Sequence, residues 1–212
     1  MNPQWFERVK NNILPLSLEK SDVKKALKEW LYQGNMYDVE IAEEICELCD
    51  HPNIRYQFEI INILNGNTLL IGSECINRFS IGVQDSNGNL LSADAAKRKV
   101  SKDRFKLITD AKVRSVINSL VSLSMIDTEF KIDSFIKYFK ENGAFSPNQL
   151  FTLIWRLEKF NIQHNKTHFK LSIKKKTNQD QLLKMQNSRL NKIWICLTEA
   201  QKDFYYRHKS NL

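Results

Sequence analysis

Cys46-Glu-Leu-Cys49-Asp-His51-Pro-Asn-Ile-Arg55-Tyr-Gln-Phe58-Glu-Ile60-Ile, followed by Asn65-Gly66 and then by Thr68-Leu-Leu-Ile71-Gly-Ser-Glu-Cys75, is the stretch that decides the fold. Two residues between Cys46 and Cys49 let both sulfurs meet one ion through a tight turn. Tyr56, Phe58 and Ile60 alternate onto one face of a strand over residues 55–61. Asn65-Gly66 predicts a two-residue type I′ turn with positive φ at both positions, and Thr68–Ile71 is the return strand. Gly72-Ser73 leads into a short helix from about Cys75, where a helix start favours a thiolate. Knuckle, hairpin, then a ligand on a helix is the order of a treble-clef zinc finger. The expected fold class is therefore α+β: a small treble-clef-like zinc module embedded in a mainly helical protein.

The chain has four cysteines, Cys46, Cys49, Cys75 and Cys196. In a chain read as cytoplasmic, thiols stay reduced, and Cys-x-x-Cys signals metal rather than a disulfide. A thioredoxin-like role lacks its βαβ context and leaves Cys75 unexplained. A structural zinc site takes four ligands. The usual treble clef draws two from its helix, but Ile76-Asn-Arg-Phe-Ser80 offers neither Cys nor His. His51 is the nearest candidate for the fourth ligand, with Pro52 assisting the sharp turn. Cys196, His164, His168 and His208 are the alternatives, and Cys196 also reads as a small buried hydrophobe.

The residues Cys46 to Ile60 and Ile71-Gly-Ser-Glu-Cys75-Ile-Asn-Arg-Phe79 resemble a family of small zinc-binding proteins of Gram-positive bacteria and their phages. The likeness covers about residues 27–80 well and the rest loosely. It implies Cys46, Cys49 and Cys75 as metal ligands and a phage or mobile-element origin. It names no activity and no fourth ligand.

Outward from this module, Ser21 predicts a helix cap, with Val23, Ala26, Leu27, Trp30 and Leu31 at helical spacing and Gly34 as the C-terminal cap. Tyr37 to Ile45 reads as an acidic link. Asp85-Ser-Asn-Gly-Asn89 is a polar turn and a boundary. From Ser92 the chain reads mostly helical, with one amphipathic helix through Ile108, Ala111, Val116, Ile117, Leu120 and Val121. Another helix spans Asp133 to Glu141 and closes at Asn142-Gly143. Ser146-Pro-Asn-Gln149 opens the next with a capping box, and Thr198-Glu-Ala-Gln201 repeats that pattern. Residues 169–174 alternate as a strand, and Gln179 to Ile193 reads as helix. These readings give a helical segment 1–45, a zinc-binding module 46–90 and a basic, mainly helical domain 91–212.

Of 212 residues, 42% are hydrophobic and 26% charged, which excludes a disordered chain, and only 6 Gly and 4 Pro argue against an all-β protein. No run approaches a membrane span. The N-terminus, Met1-Asn-Pro-Gln-Trp-Phe-Glu-Arg, does not read as a secretory signal. The net charge of +8 is uneven: residues 1–90 hold 8 Lys/Arg against 13 Asp/Glu (−5), and residues 91–212 hold 24 against 11 (+13). Such asymmetry points to a polyanion. The densest cluster is Lys97, Arg98, Lys99, Lys102 and Arg104, with Phe105, Phe169, Trp194, Tyr205 and Tyr206 as aromatics for base stacking or for the core. No phosphate loop, dinucleotide turn, nucleophile elbow or deaminase pattern occurs. The expected role is a zinc-containing, non-catalytic nucleic-acid-binding protein. The alternative is a protein-interaction module acting on a host or phage protein.

Overall fold

A computed structural model describes residues 3–209. The chain is mixed α/β. Its elements are α1 (Pro3–Ile13), α2 (Val23–Leu27), β1 (Trp30–Asp38), β2 (Tyr56–Asn62), β3 (Thr68–Ile71), α3 (Ser73–Arg78), β4 (Gly82–Val83), α4 (Ala93–Ile126), α5 (Asp133–Asn142), α6 (Pro147–Lys159), α7 (Lys176–Leu183), α8 (Asn187–Ile193) and α9 (Glu199–Lys209). It divides into two units, Met1–Ala111 and Lys112–Leu212. Segments 1–45 and 46–90 both fall within the first, and α4 runs from one unit into the other. No helix among the described residues is long and apolar enough to cross a membrane.

The first unit is built on a four-stranded sheet of order β3-β2-β1-β4, in which β1 pairs antiparallel with β2 and parallel with β4. Here the structure corrects the helix expected through Trp30 and Leu31. Helix α2 ends after five residues, and it is capped by Asp22, whose carboxylate accepts the N–H groups of Lys24 and Lys25. Ser21 instead donates to Glu19 Oε1 at 2.6 Å. Trp30, Leu31 and Tyr32 begin the central strand and are all buried. A strand covered on both faces shows an unbroken apolar run, which periodicity alone cannot tell from a helix. Gly34, with φ +111°, lies where the β1–β2 register shifts between Tyr32 and Met36. Its positive φ serves an irregularity in the strand rather than a helix end.

The hairpin pairs as the alternation requires, Phe58 with Ile71 and Ile60 with Leu69. Its turn differs from the two-residue form. Asn62 N–H donates to Asn67 O at 2.8 Å, Gly66 N–H donates to Asn62 O at 2.8 Å, and only Gly66 has positive φ (+79°). Asn62 Oδ1 accepts the N–H groups of Leu64 and Asn65, holding residues 63–66 as a four-residue loop.

In the second unit, α5 ends at Gly143 with φ +61°, whose N–H donates to Phe139 O at 2.8 Å. Helix α6 opens with both legs of the Ser146–Gln149 capping box and buries Leu150, Leu153, Ile154 and Leu157. Residues 169–174 do not form a strand. They make one parallel bridge, Phe145 with Leu171, because the carbonyls of Leu171, Ser172 and Ile173 are taken by Gln201, Asn178 and Gln179 side chains. The helix expected over 179–193 is two helices, α7 and α8, broken at Lys184–Gln186, and each buries its own pair: Leu182 with Leu183, and Leu190 with Ile193. Phe145, Phe169, Leu153 and Leu157 anchor this unit's core.

Candidate metal centre

The knuckle carrying Cys46 and Cys49 is a tight reversal closed by the Glu44–Ile54 bridge. Inside it, Cys46 N–H donates to His51 O at 2.9 Å, and Asp50 N–H donates to Cys46 O at 2.8 Å. Asp50 (φ +56°) and Asn53 (φ +61°) take the left-handed backbone that such a reversal needs and that short polar side chains tolerate best. Glu47 ties the knuckle to β3, its N–H donating to Leu70 O and its carboxylate accepting Leu70 N–H. Asn12 on α1 braces it from another side, donating to Asp50 Oδ1 at 2.8 Å. Cys75 arrives from α3, three residues after the capping Gly72.

These elements bring three sulfurs together. Cys75 Sγ lies 3.6 Å from Cys46 Sγ and 3.2 Å from Cys49 Sγ. All three ligand atoms fall within 4.8 Å of one another, and the cysteines are 1%, 0% and 4% exposed in chain order. None is in a disulfide. Sulfurs about 2.3 Å from one tetrahedral zinc stand about 3.8 Å apart, so the cluster needs to open by only a few tenths of an ångström to hold an ion. Three thiols from local motifs around one point are the soft donor set that suits zinc.

The electrostatics agree with a shared negative charge. Cys46 is held far below the ordinary thiol range, at about 2, by hydrogen bonds from Cys49 and Cys75 and by the backbone of Gly72 and Leu48. Cys49 and Cys75 are pushed up, first by their bonds to Cys46. Three sulfurs this close favour one shared negative charge, which a bound cation would neutralise.

His51 is exposed, and its ring nitrogens are not among the clustered ligand atoms. Its backbone does the local work, accepting from Cys46 and donating to Cys49. The other fourth-ligand candidates are engaged within the second unit. Cys196 is buried with its thiol on Lys166 O at 3.2 Å, and burial pushes it up to about 11. His164 Nδ1 meets Ile162 O at 2.7 Å, His168 Nδ1 meets Ser115 Oγ at 2.9 Å, and His208 Nδ1 meets Phe204 O at 2.8 Å.

The three cysteines line one cavity of about 390 Å³ together with Trp5, His51, Arg55, Tyr56, Glu74, Arg78 and Arg104. Arg55 is held bidentately by Asp38 at 2.7 and 3.1 Å. The Arg78 guanidinium stacks over Trp5, 3.6 Å from the ring centroid. Arg104 is exposed and makes no hydrogen bond or ion pair among the described residues. Of the residues that line this cavity, the sequence names the cysteines and His51 as metal ligands and Arg104 as a phosphate contact. Trp5, Arg55, Tyr56 and Arg78 come from three separate elements, and no spacing links them.

The basic cluster of α4 spreads around the helix. At about 100° per residue, Lys97 and Arg104 share one face, and Arg98 and Lys102 share another. All four are exposed. Lys99 turns inward, 2.7 Å from Asp103 Oδ2 and 5.4 Å from the Tyr32 ring centroid. Among the aromatics, Phe105 and Tyr206 are exposed, whereas Phe169 and Tyr205 belong to the core.

No family model, curated protein or solved structure matches the chain.

Proposed function

We propose that Cys46, Cys49 and Cys75 hold one zinc ion in a treble-clef-like module, and that the chain is a non-catalytic nucleic-acid-binding protein. The order of knuckle (44–54), hairpin (56–71) and helix (73–78) supports the module. When bound, the ion supplies cross-linking of the knuckle to α3, and no reaction is assigned to it. The resemblance of the Cys46–Phe79 motif favours a phage or mobile element as its setting.

The observation that carries the binding reading is the exposure of Lys97, Arg98, Lys102 and Arg104 on α4, with Arg104 also lining the cysteine cavity. Guanidinium and ammonium groups without a carboxylate partner are available to phosphates, and each phosphate neutralised on duplex adds about 0.9 to the salt slope. Such contacts read charge rather than base edges, so little sequence preference follows.

Two measurements test this. Elemental analysis should find one zinc per chain and none in Cys46→Ser or Cys75→Ser, with the helices of the second unit retained by circular dichroism. Reversing Arg98 and Lys102 to Glu should weaken binding to generic DNA and RNA and flatten the salt dependence. Zinc retained in both cysteine variants removes the metal reading. No binding at low salt removes the nucleic-acid reading and leaves a protein partner in its place.

A further inference from the structure

The three-cysteine cluster is one donor short of a closed structural site, and no described residue supplies a fourth donor at the sulfurs. Among the described residues, only Cys46, Cys49 and Cys75 have ligand atoms mutually within 4.8 Å. A zinc site with three protein ligands keeps its fourth position for a molecule from solution. The route to these buried sulfurs is the cavity that all three line.

The wall of that cavity is chemically distinctive. It carries Arg55, Arg78 and Arg104 against a single further carboxylate, Glu74. Arg55 is already neutralised by Asp38. The Arg78 guanidinium sits over the Trp5 ring, 3.6 Å from its centroid, and makes no hydrogen bond or ion pair among the described residues. Arg104 is exposed and makes no hydrogen bond or ion pair among the described residues. Planar guanidinium forks match the oxygens of a phosphate in a way that a lysine does not. Trp5 and Tyr56 line the same space and offer apolar faces beside those forks.

We propose that this cavity binds a phosphate group, held by Arg78 and Arg104, with one of its oxygens taking the fourth position of the metal. The proposal rests on the zinc reading above. It changes the site from a closed structural clamp into a ligand site, and it makes Arg78 and Arg104 the residues that recognise the ligand. A free phosphate and the terminal phosphate of a nucleic-acid strand share this chemistry.

Cobalt(II) in place of zinc gives a visible spectrum that reports the donors around the metal. The full-length chain loaded with cobalt is titrated at constant ionic strength with inorganic phosphate, then with a short oligonucleotide carrying either a 5′-phosphate or a 5′-hydroxyl. A saturable band shift with phosphate is expected. Arg104→Gln and Arg78→Gln should each weaken it by about tenfold or more, the loss expected for a charge-assisted fork. A shift at lower concentration with the 5′-phosphate strand than with inorganic phosphate identifies a strand end, and equal or weaker action identifies the free anion. Either result supports the site. An unmoved spectrum in all titrations, together with a changed spectrum in His51→Ala, makes His51 the fourth ligand and overturns the proposal. So does a shift that both arginine variants leave unaltered. A chain that takes up no cobalt refutes the metal reading itself, which is a different failure and visible before any phosphate is added.

Discussion

Replacing Glu29 by Gln removes one of the two acceptor oxygens that join the loop after α1 to the sheet of the first unit. Glu29 is 8% exposed. Its Oε1 accepts Glu19 N–H at 2.7 Å, and its Oε2 accepts Leu18 N–H and Asn62 Nδ2–H, each at 2.7 Å. Burial by itself pushes this carboxyl up, but the bonds from Asn62, Glu19 and Leu18 outweigh it and hold it below its ordinary value of 4.5. In Gln one oxygen becomes an NH₂ group. Whichever way the amide turns, at least one N–H faces another N–H. The better orientation keeps Leu18 and Asn62 satisfied and strands Glu19 N–H. One stranded donor costs about 1–3 kcal/mol, and the two surviving bonds weaken as the charge is lost, so the total is about 2–3 kcal/mol.

Urea unfolding measures this, with fluorescence of Trp30 as the probe, since its Nε1–H donates to Ser17 Oγ at 2.8 Å in the same corner. With a slope of about 1–3 kcal/mol per molar urea, the midpoint should fall by about 1 M. The pH dependence has a fixed sign. The folded chain binds fewer protons at Glu29 than the unfolded chain does, so this contribution is complete above the unfolded value and is lost as pH falls through the lower folded one. The gap between wild type and Glu29→Gln should therefore be full at neutral pH and narrow below the ordinary carboxylate range. A midpoint within about 0.2 M of wild type at neutral pH, or a gap that stays constant into acid, refutes the reasoning.

Two further substitutions probe the packing and the hairpin. Phe145→Ala empties a buried position whose ring lies 4.9 Å from Phe139 and 6.2 Å from Phe169, and it should cost about 3–5 kcal/mol in urea unfolding; a loss under about 1 kcal/mol means that the second core does not depend on this ring. A Cβ at Gly66 meets no neighbour within 4 Å, so the effect expected of Gly66→Val is backbone strain at φ +79°, about 1–2 kcal/mol, and Gly66→Asn should recover most of it. Equal thermal shifts for Val and Asn would show that strain is not the cause.

What the sequence made legible was what a few consecutive residues determine. The Ser146–Gln149 capping box forms with both bonds, at 3.3 and 3.1 Å. The Thr198–Gln201 pair does the same at 3.3 and 3.0 Å. Gly143 sits where a left-handed cap is needed, and strands 56–62 and 68–71 pair across a short loop. Trp30 to Asp38 was not legible as a strand, because its identity depends on β2 and β4, and both lie far along the chain. Residues 169–174 show the converse. Their alternation is genuine, but side chains of α7 and α9 reach their carbonyls before any strand can.

The candidate site divides along the same line. Each cysteine sits in a local motif, so the three could be grouped by order alone, and the fold brings their sulfurs within 4.8 Å of one another. The arginines that share their cavity obey no such rule. Lys97, Arg98 and Lys99 are consecutive, yet successive residues on α4 turn by about 100°, so crowding in sequence disperses around the helix. Lys99 even spends its charge on Asp103. Arg55, Arg78 and Arg104 come from just before β2, the end of α3 and the body of α4, and they converge on one cavity because the sheet and helices place them there. A count of basic residues along the chain therefore points to a polyanion without saying where it is gripped. The proposed answer is the cavity, where among the described residues one guanidinium lies flat on a tryptophan, another makes no hydrogen bond or ion pair, and both share a space with three clustered sulfurs. The proposed ligand fits that arrangement because a phosphate has enough anionic oxygens to meet a metal at the sulfurs and each guanidinium fork.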